Sequence, residues 1–140
     1  MTLIKLTSIF ICLILFSGCS IKQEVKSYTP LTEKEICIIE DPAVRQGFLA
    51  TYTRELNKKG YKTKLLAPNS PLNTCNVVST YMGIWSWDLA IYLSYAEIKV
   101  YQNAKLIGEA LYDSRSGGAN MSKFIKGEDK IIELTYQLFP

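Results

Sequence analysis

The residues predict an α/β domain of the α+β sandwich kind: a mixed five-stranded sheet with two helices on one face. Three observations carry this. A short β-branched run at 35–40, an amphipathic stretch at 42–59 and a second strand-like run at 61–67 follow one another as a βαβ unit, whose strands are parallel. Long β-rich runs at 75–87, 91–101 and 106–113, separated by turn residues, read as an antiparallel meander. A second amphipathic stretch, 121–138, closes the chain. One crossover helix and one C-terminal helix are too few to cover both faces of a sheet, so both belong on the same face. The other face is left to the N-terminal segment, to solvent or to a partner.

Taken in order, Glu35-Ile36-Cys37-Ile38-Ile39-Glu40 is too short for a helix and ends at Asp41-Pro42, which suits a buried first strand. Asp41 is a good N-cap and Pro42 a good first helical residue, because proline's missing N–H costs nothing there. Val44, Phe48, Tyr52 and Leu56 recur every fourth position and form one apolar face. Lys58-Lys59-Gly60 is a helix stop, with cations at the negative end of the dipole and glycine at the left-handed position. Tyr61 to Ala67 returns as a strand, and Pro68 to Asn73 is a loop.

In the meander, apolar parity slips between Tyr95 and Ala96, which predicts a bulge or a bend. Gln102 to Lys105 is a turn, and Ser114 to Ala119 a loop. Asn120 can cap the last helix, with Phe124, Ile125, Ile131, Ile132, Leu138 and Phe139 on one side and Lys123, Lys126, Asp129, Lys130 and Glu133 on the other. Gly127 inside that helix suggests a close approach to the sheet, since glycine there otherwise costs about 1 kcal/mol.

The first residues carry an address. Lys5, the apolar run Leu6 to Phe16 and the small pair Ser17-Gly18 have the layout of a secretory signal. Cys19 directly behind them resembles the lipobox of bacterial lipoproteins, whose cysteine receives a diacylglycerol and becomes the first mature residue. An uncleaved anchor is the alternative, but a spanning helix needs about 20 apolar residues and this run is shorter. The lipobox resemblance implies attachment to a membrane through lipid at Cys19. Ser20, where an Asp would signal inner-membrane retention, implies the outer membrane facing the periplasm. The expected layout is residues 1–18 as signal peptide, 19–32 as a lipidated tether and 33–140 as one α/β domain.

The full chain has 140 residues, no histidine and a formal net charge of +3. The mature part keeps about 120 residues, enough for one domain. Its weak positive charge, with no basic cluster beyond Lys58-Lys59, argues against nucleic acid. Without histidine, the commonest general base and zinc ligand are both missing. No metal site is expected. Cys37 and Cys75 remain once Cys12 and Cys19 are set aside, an even pair in an exported protein. A disulfide between them is expected; two buried free thiols are the alternative.

The densest chemistry-bearing stretch is Tyr81, then Trp85-Ser86-Trp87-Asp88, then Tyr92 and Tyr95. Alternation places Trp85 and Trp87 on one face of a strand and Ser86 and Asp88 on the other. Aromatics beside an acid can hold a sugar, or they can form a core layer between sheet and helix. Arg115-Ser116-Gly117-Gly118 precedes a helix and could cradle a phosphate, or be a plain turn. The G-x-G-x-x-G and G-x-x-x-x-G-K-[ST] patterns are absent, and no cofactor is expected. Glu40 and Asp41 point opposite ways on an extended chain, so they do not make a catalytic pair. No nucleophile has a base beside it, and no catalytic residue is assigned.

The block Cys75-x-Val77-Val78-x-x-Tyr81, then Ser86-Trp87-Asp88-Leu89-Ala90-x-Tyr92-Leu93-Ser94-x-Ala96-Glu97, then Gly117-Gly118 before the last helix, resembles small Gram-negative lipoproteins without an assigned function. The element order is also similar to compact domains of the curli secretion lipoprotein and of the ring-forming exopolysaccharide export lipoprotein. The expectation is a non-catalytic accessory or scaffold component of the cell envelope, with an envelope protein as partner and no oligomeric state readable. A glycan- or small-ligand-binding lipoprotein using Trp85, Trp87, Asp88, Tyr92, Tyr95 and Arg115 is the alternative.

Overall fold

The computed structural model describes residues 20–29, 32 and 34–140. Cys19 and the signal-like segment lie outside these residues. The chain runs β1 (Lys22–Lys26), β2 (Glu35–Ile39), α1 (Gln46–Lys58), β3 (Lys62–Leu66), β4 (Val77–Asp88), β5 (Ala90–Gln102) and β6 (Lys105–Asp113). A 3₁₀ turn (Met121–Phe124) and α2 (Gly127–Leu138) complete it. The sheet is mixed, in the order β1-β6-β5-β4-β2-β3. The α+β class is as expected, but the sheet has six strands among the described residues, not five.

The βαβ unit stands as read: β2 pairs in parallel with β3, Glu35 opposite Lys62 through Ile39 opposite Leu66. The meander is antiparallel, and β4 also lies parallel to β2. A register shift between Ile84 and Trp85 leaves Ser94 as the extra residue on β5. Ser94 is wholly buried. The bulge therefore sits just before the expected slip at Tyr95, and it reverses which side of the sheet each later residue faces.

The sixth strand comes from the segment read as a tether. Lys22 to Lys26 pairs with β6, Lys22 opposite Asp113 and Lys26 opposite Glu109. Its polar sequence hides the strand, because only Val25 and half-buried Gln23 face the core side. Side-chain and backbone bonds hold it instead. Gln23 donates to Glu133 (2.6 Å), Lys130 donates to Gln23 (2.9 Å) and to Glu133 (2.6 Å), and the Tyr28 N–H donates to the Leu138 carbonyl (2.6 Å). Tyr28 is buried against Phe139 and Tyr61. Lys130, expected on the polar side of the last helix, is buried for the same reason: its ammonium lies 4.7 Å from the Tyr112 ring centre, under β1.

Both helices pack on one face, over Ile36, Ile38, Val77, Ile98 and Val100. Helix α1 starts at Gln46, later than the expected 42. The Asp41 carboxylate accepts the Ala43 N–H (2.9 Å), and its carbonyl accepts the Val44 N–H (3.1 Å). This closes a separate turn, and Arg45 is extended (ψ 133°) before the helix begins. The stop is as read: Gly60 has φ +86°, and the Gly60 and Tyr61 N–H groups return to the Asn57 and Leu56 carbonyls. The last helix is split. Asn120 caps the 3₁₀ turn by accepting the Ser122 N–H (3.0 Å), Ile125 is extended, and α2 starts at Gly127. That glycine is a close approach: a Cβ there would lie 3.4 Å from Leu93 Cβ and from Trp85 Nε1.

The opposite face carries its own small cluster. Cys37 and Cys75 form the expected disulfide (Cα–Cα 6.3 Å), among Leu66, Val78, Ile39 and Leu72. The loop before β4 is thereby held over β2 and β3. What remains open on that face is the middle of the meander, where Met82, Ile84, Tyr95 and Tyr101 show.

Candidate functional site

The aromatic constellation does not converge. Trp85 and Trp87 share a face, as alternation requires, since they pair with Leu93 and Ile91. Their surroundings differ completely. Trp85 folds back over Gly83, where a Cβ would meet its ring at 2.8 Å, and meets Phe48 edge-on at 6.4 Å. Arg45 covers its outer side, 5.0 Å from the ring centre. It belongs to the core layer. Trp87 lies two residues further along, beyond the reach of α1 and α2, and is 74% exposed.

The polar members are engaged inside the chain. Asp88 pairs with the ammonium of Lys123, which also donates to the Gly118 carbonyl (2.6 Å). Tyr92 is buried edge-on against Phe124 (5.3 Å). Tyr95 sits on the open face and donates to Glu97 (2.9 Å); burial, and then that carboxylate, push its phenol above the ordinary value. Arg115 grips Asp113 through two nitrogens (2.9 and 2.6 Å) and stacks on the Tyr95 ring at 4.5 Å. That pairing raises the guanidinium pKa and lowers the carboxyl's. Arg115 thus buttresses β5 and β6, and Gly117-Gly118 turns the chain into the 3₁₀ turn. The loop thus leads into a four-residue 3₁₀ turn and not directly into an α-helix. Ser86 donates to Ser94 (2.7 Å), and Ser114 to the Ser94 carbonyl (3.1 Å), which satisfies polar groups at the bulge.

The concavity lies elsewhere. A cleft of about 490 Å³ opens where β2 and β3 end, between Asp41-Pro42 and Pro68-Asn69, with Thr80 and Tyr81 behind. Two neighbouring depressions share Asp41 with it, one reaching Leu49 and the other Trp85. Carboxyl ends of parallel strands at a reversal of strand order are where α/β sheets bind ligands. The strand order reverses here, since β3 and β4 flank β2. The Tyr81 hydroxyl accepts the Asp41 N–H (3.1 Å), and burial raises its pKa. Sequence reading placed Glu40 and Asp41 at this strand end but did not see the cleft. The available signal was a proline after each strand end of the βαβ unit. Lys123 as partner of Asp88 had no signal, because 35 residues separate them. Among the described residues no cluster of three metal-ligating side chains forms, and no helix is long and apolar enough to cross a membrane.

No family model matches the sequence. No curated protein matches it either. In fold, the chain is similar to the PelC dodecamer from Paraburkholderia phytofirmans solved in space group P6, at 9% identity and TM-score 0.57, covering 86% of this chain and 99% of that one. A point variant of the same dodecamer in space group C2 aligns at 11% identity and TM-score 0.52, covering 83% and 97%.

Proposed function

We propose that the chain is a membrane-anchored periplasmic lipoprotein, attached through Cys19 to the outer membrane, that serves as a non-catalytic accessory or scaffold component of the cell envelope. The observation that supports it most is the fate of the aromatic constellation. Its polar groups are spent on internal pairs, while the middle of the meander keeps Met82, Ile84, Tyr95 and Tyr101 on an open face. Such a surface suits a protein partner better than a small molecule. The fold likeness to PelC, solved as a dodecamer, makes further copies of this chain a natural partner. Among the described residues the outer strands are β1 and β3, and β4 and β5 have free edges only where they run past β2 and β6, so the face of the meander is the proposed contact.

A photoreactive residue at Tyr101, crosslinked in living cells, tests the scaffold role. A reproducible envelope protein or a second copy of the chain is the expected adduct. Adducts no different from those at Lys62 on β3 would refute a role for this face. Palmitate labelling that persists in Cys19→Ala would refute the anchor, and recovery with the inner membrane would refute the location.

The cleft beside Tyr81 favours a second reading, in which a glycan fragment or other small ligand binds there and not at the tryptophans. Peptidoglycan fragments shifting the amide resonances of Asp41 and Asn69, with the shifts lost in Tyr81→Ala, would support it.

A further inference from the structure

The β4–β5 hairpin projects past the rest of the sheet. Lys22, Asp113, Tyr95 and Ile84 lie side by side across β1, β6, β5 and β4. Beyond that row only β4 and β5 continue, by four residues to Asp88, or about 13 Å. The projection ends in Trp87, Leu89 and Ile91, which are 74%, 84% and 62% exposed. Leu89 makes the turn itself at φ +61°. A leucine is strained in that region, where glycine would not be. A tip built for water would carry glycine or asparagine and polar neighbours. The one charged residue of the projection, Asp88, is paired with Lys123.

The chain's N-terminal side leaves the fold at the same end. Strand β1 runs away from the tip, so Ile21 and Ser20 lie toward it, and Ile21 packs near Gly117. Because Lys22 is already locked in the sheet, only three residue steps separate it from Cys19, at most about 10 Å of chain. A long tether would let the domain drift; this connection does not.

We propose that Trp87, Leu89 and Ile91 enter the interfacial layer of the bilayer that holds the Cys19 lipid, so that the domain stands on the membrane at two points. This rests on the lipid anchor proposed above. With the row at Lys22 within about 10 Å of the lipidated residue, a tip reaching about 13 Å past that row meets the headgroup layer. Tryptophan with flanking aliphatic residues is the composition that settles there. The attachment also fixes which way the domain faces: the helix-covered and open faces both stand perpendicular to the membrane, with the open face free for neighbours alongside.

The test reconstitutes the full chain, extracted from membranes, in vesicles of phosphatidylethanolamine and phosphatidylglycerol, with and without dibrominated phosphatidylcholine. Bromine quenches tryptophans at its own depth. Wild type should lose a large part of its emission on brominated lipid, and Trp87→Phe, at a position that is 74% exposed, should lose almost none. Leu89→Asp should reduce the quenching while the protein still floats with the vesicles. Wild type that floats through its acyl chains and is not quenched overturns the insertion and leaves the anchor intact; a blue-shifted but unquenched Trp87 does the same, with a protein covering the tip. A chain without acyl mass at Cys19 overturns the anchor. In that case quenching would still uphold the tip as a membrane contact, and its absence would overturn both.

Discussion

Tyr112 carries a buried hydroxyl that finds no hydrogen-bond partner among the described residues. Its ring is well used, packed under the Lys130 ammonium and in the core cluster. A buried hydroxyl without a protein partner costs about 1–3 kcal/mol. Tyr112→Phe should therefore raise stability by about 1 kcal/mol, read as a higher urea midpoint at unchanged slope. The two tryptophans make a second test at this scale. Iodide should quench Trp87 strongly and Trp85 weakly, so Trp87→Phe should remove most of the quenchable emission. Equal quenching of both would contradict the packing of Trp85 under Phe48 and Arg45.

Strand β1 shows how an element can be held by its neighbours and not by its own composition. Lys-Gln-Glu-Val-Lys has little β-propensity, yet it takes an edge position where lysines are common. Trypsin should cut after Lys22 and Lys26 slowly in the folded protein, and faster in Gln23→Ala, which removes the link to Lys130 and Glu133. Rapid cleavage in the wild type would mean that these residues are a free tether after all. The Cys37–Cys75 bridge closes a loop of 38 residues between β2 and the start of β4. Reduction should lower stability by about 3–4 kcal/mol in the chain-entropy picture, measured by urea unfolding with and without reductant.

Across the whole molecule the charged groups set the response to pH. Among the described residues, three carboxyls are held below the ordinary carboxylate value. Glu55 owes this to hydrogen bonds from Lys58 and then Arg54, and Asp113 to Arg115. For Glu133 burial acts upward, but Gln23 and Lys130 outweigh it. A carboxyl with a lowered folded pKa contributes stability that is complete above its unfolded pKa and is lost as pH falls through the folded one. The melting temperature should accordingly change little between pH 8 and about pH 5 and drop steadily below that. With no histidine in the chain, a large step near pH 6 would contradict this account.

Local pattern was enough for much of this protein. The β2–α1–β3 unit, the three meander strands, the glycine stop at Gly60 and the cysteine pair all follow from period, turn chemistry and counting. These signals act over a few residues, or through a covalent bond between the two cysteines of the described residues. Other features needed the assembled sheet. Lys22 to Lys26 became a strand because β6 offered an unpaired edge and α2 offered Glu133 and Gln137. The bulge at Ser94 put Tyr92 and Tyr95 on one side although they stand three apart. Trp85 and Trp87 share a face in any strand, as their spacing says. That one is core and the other projects into the surroundings was decided by where the helices end, a distance that no stretch of sequence encodes locally.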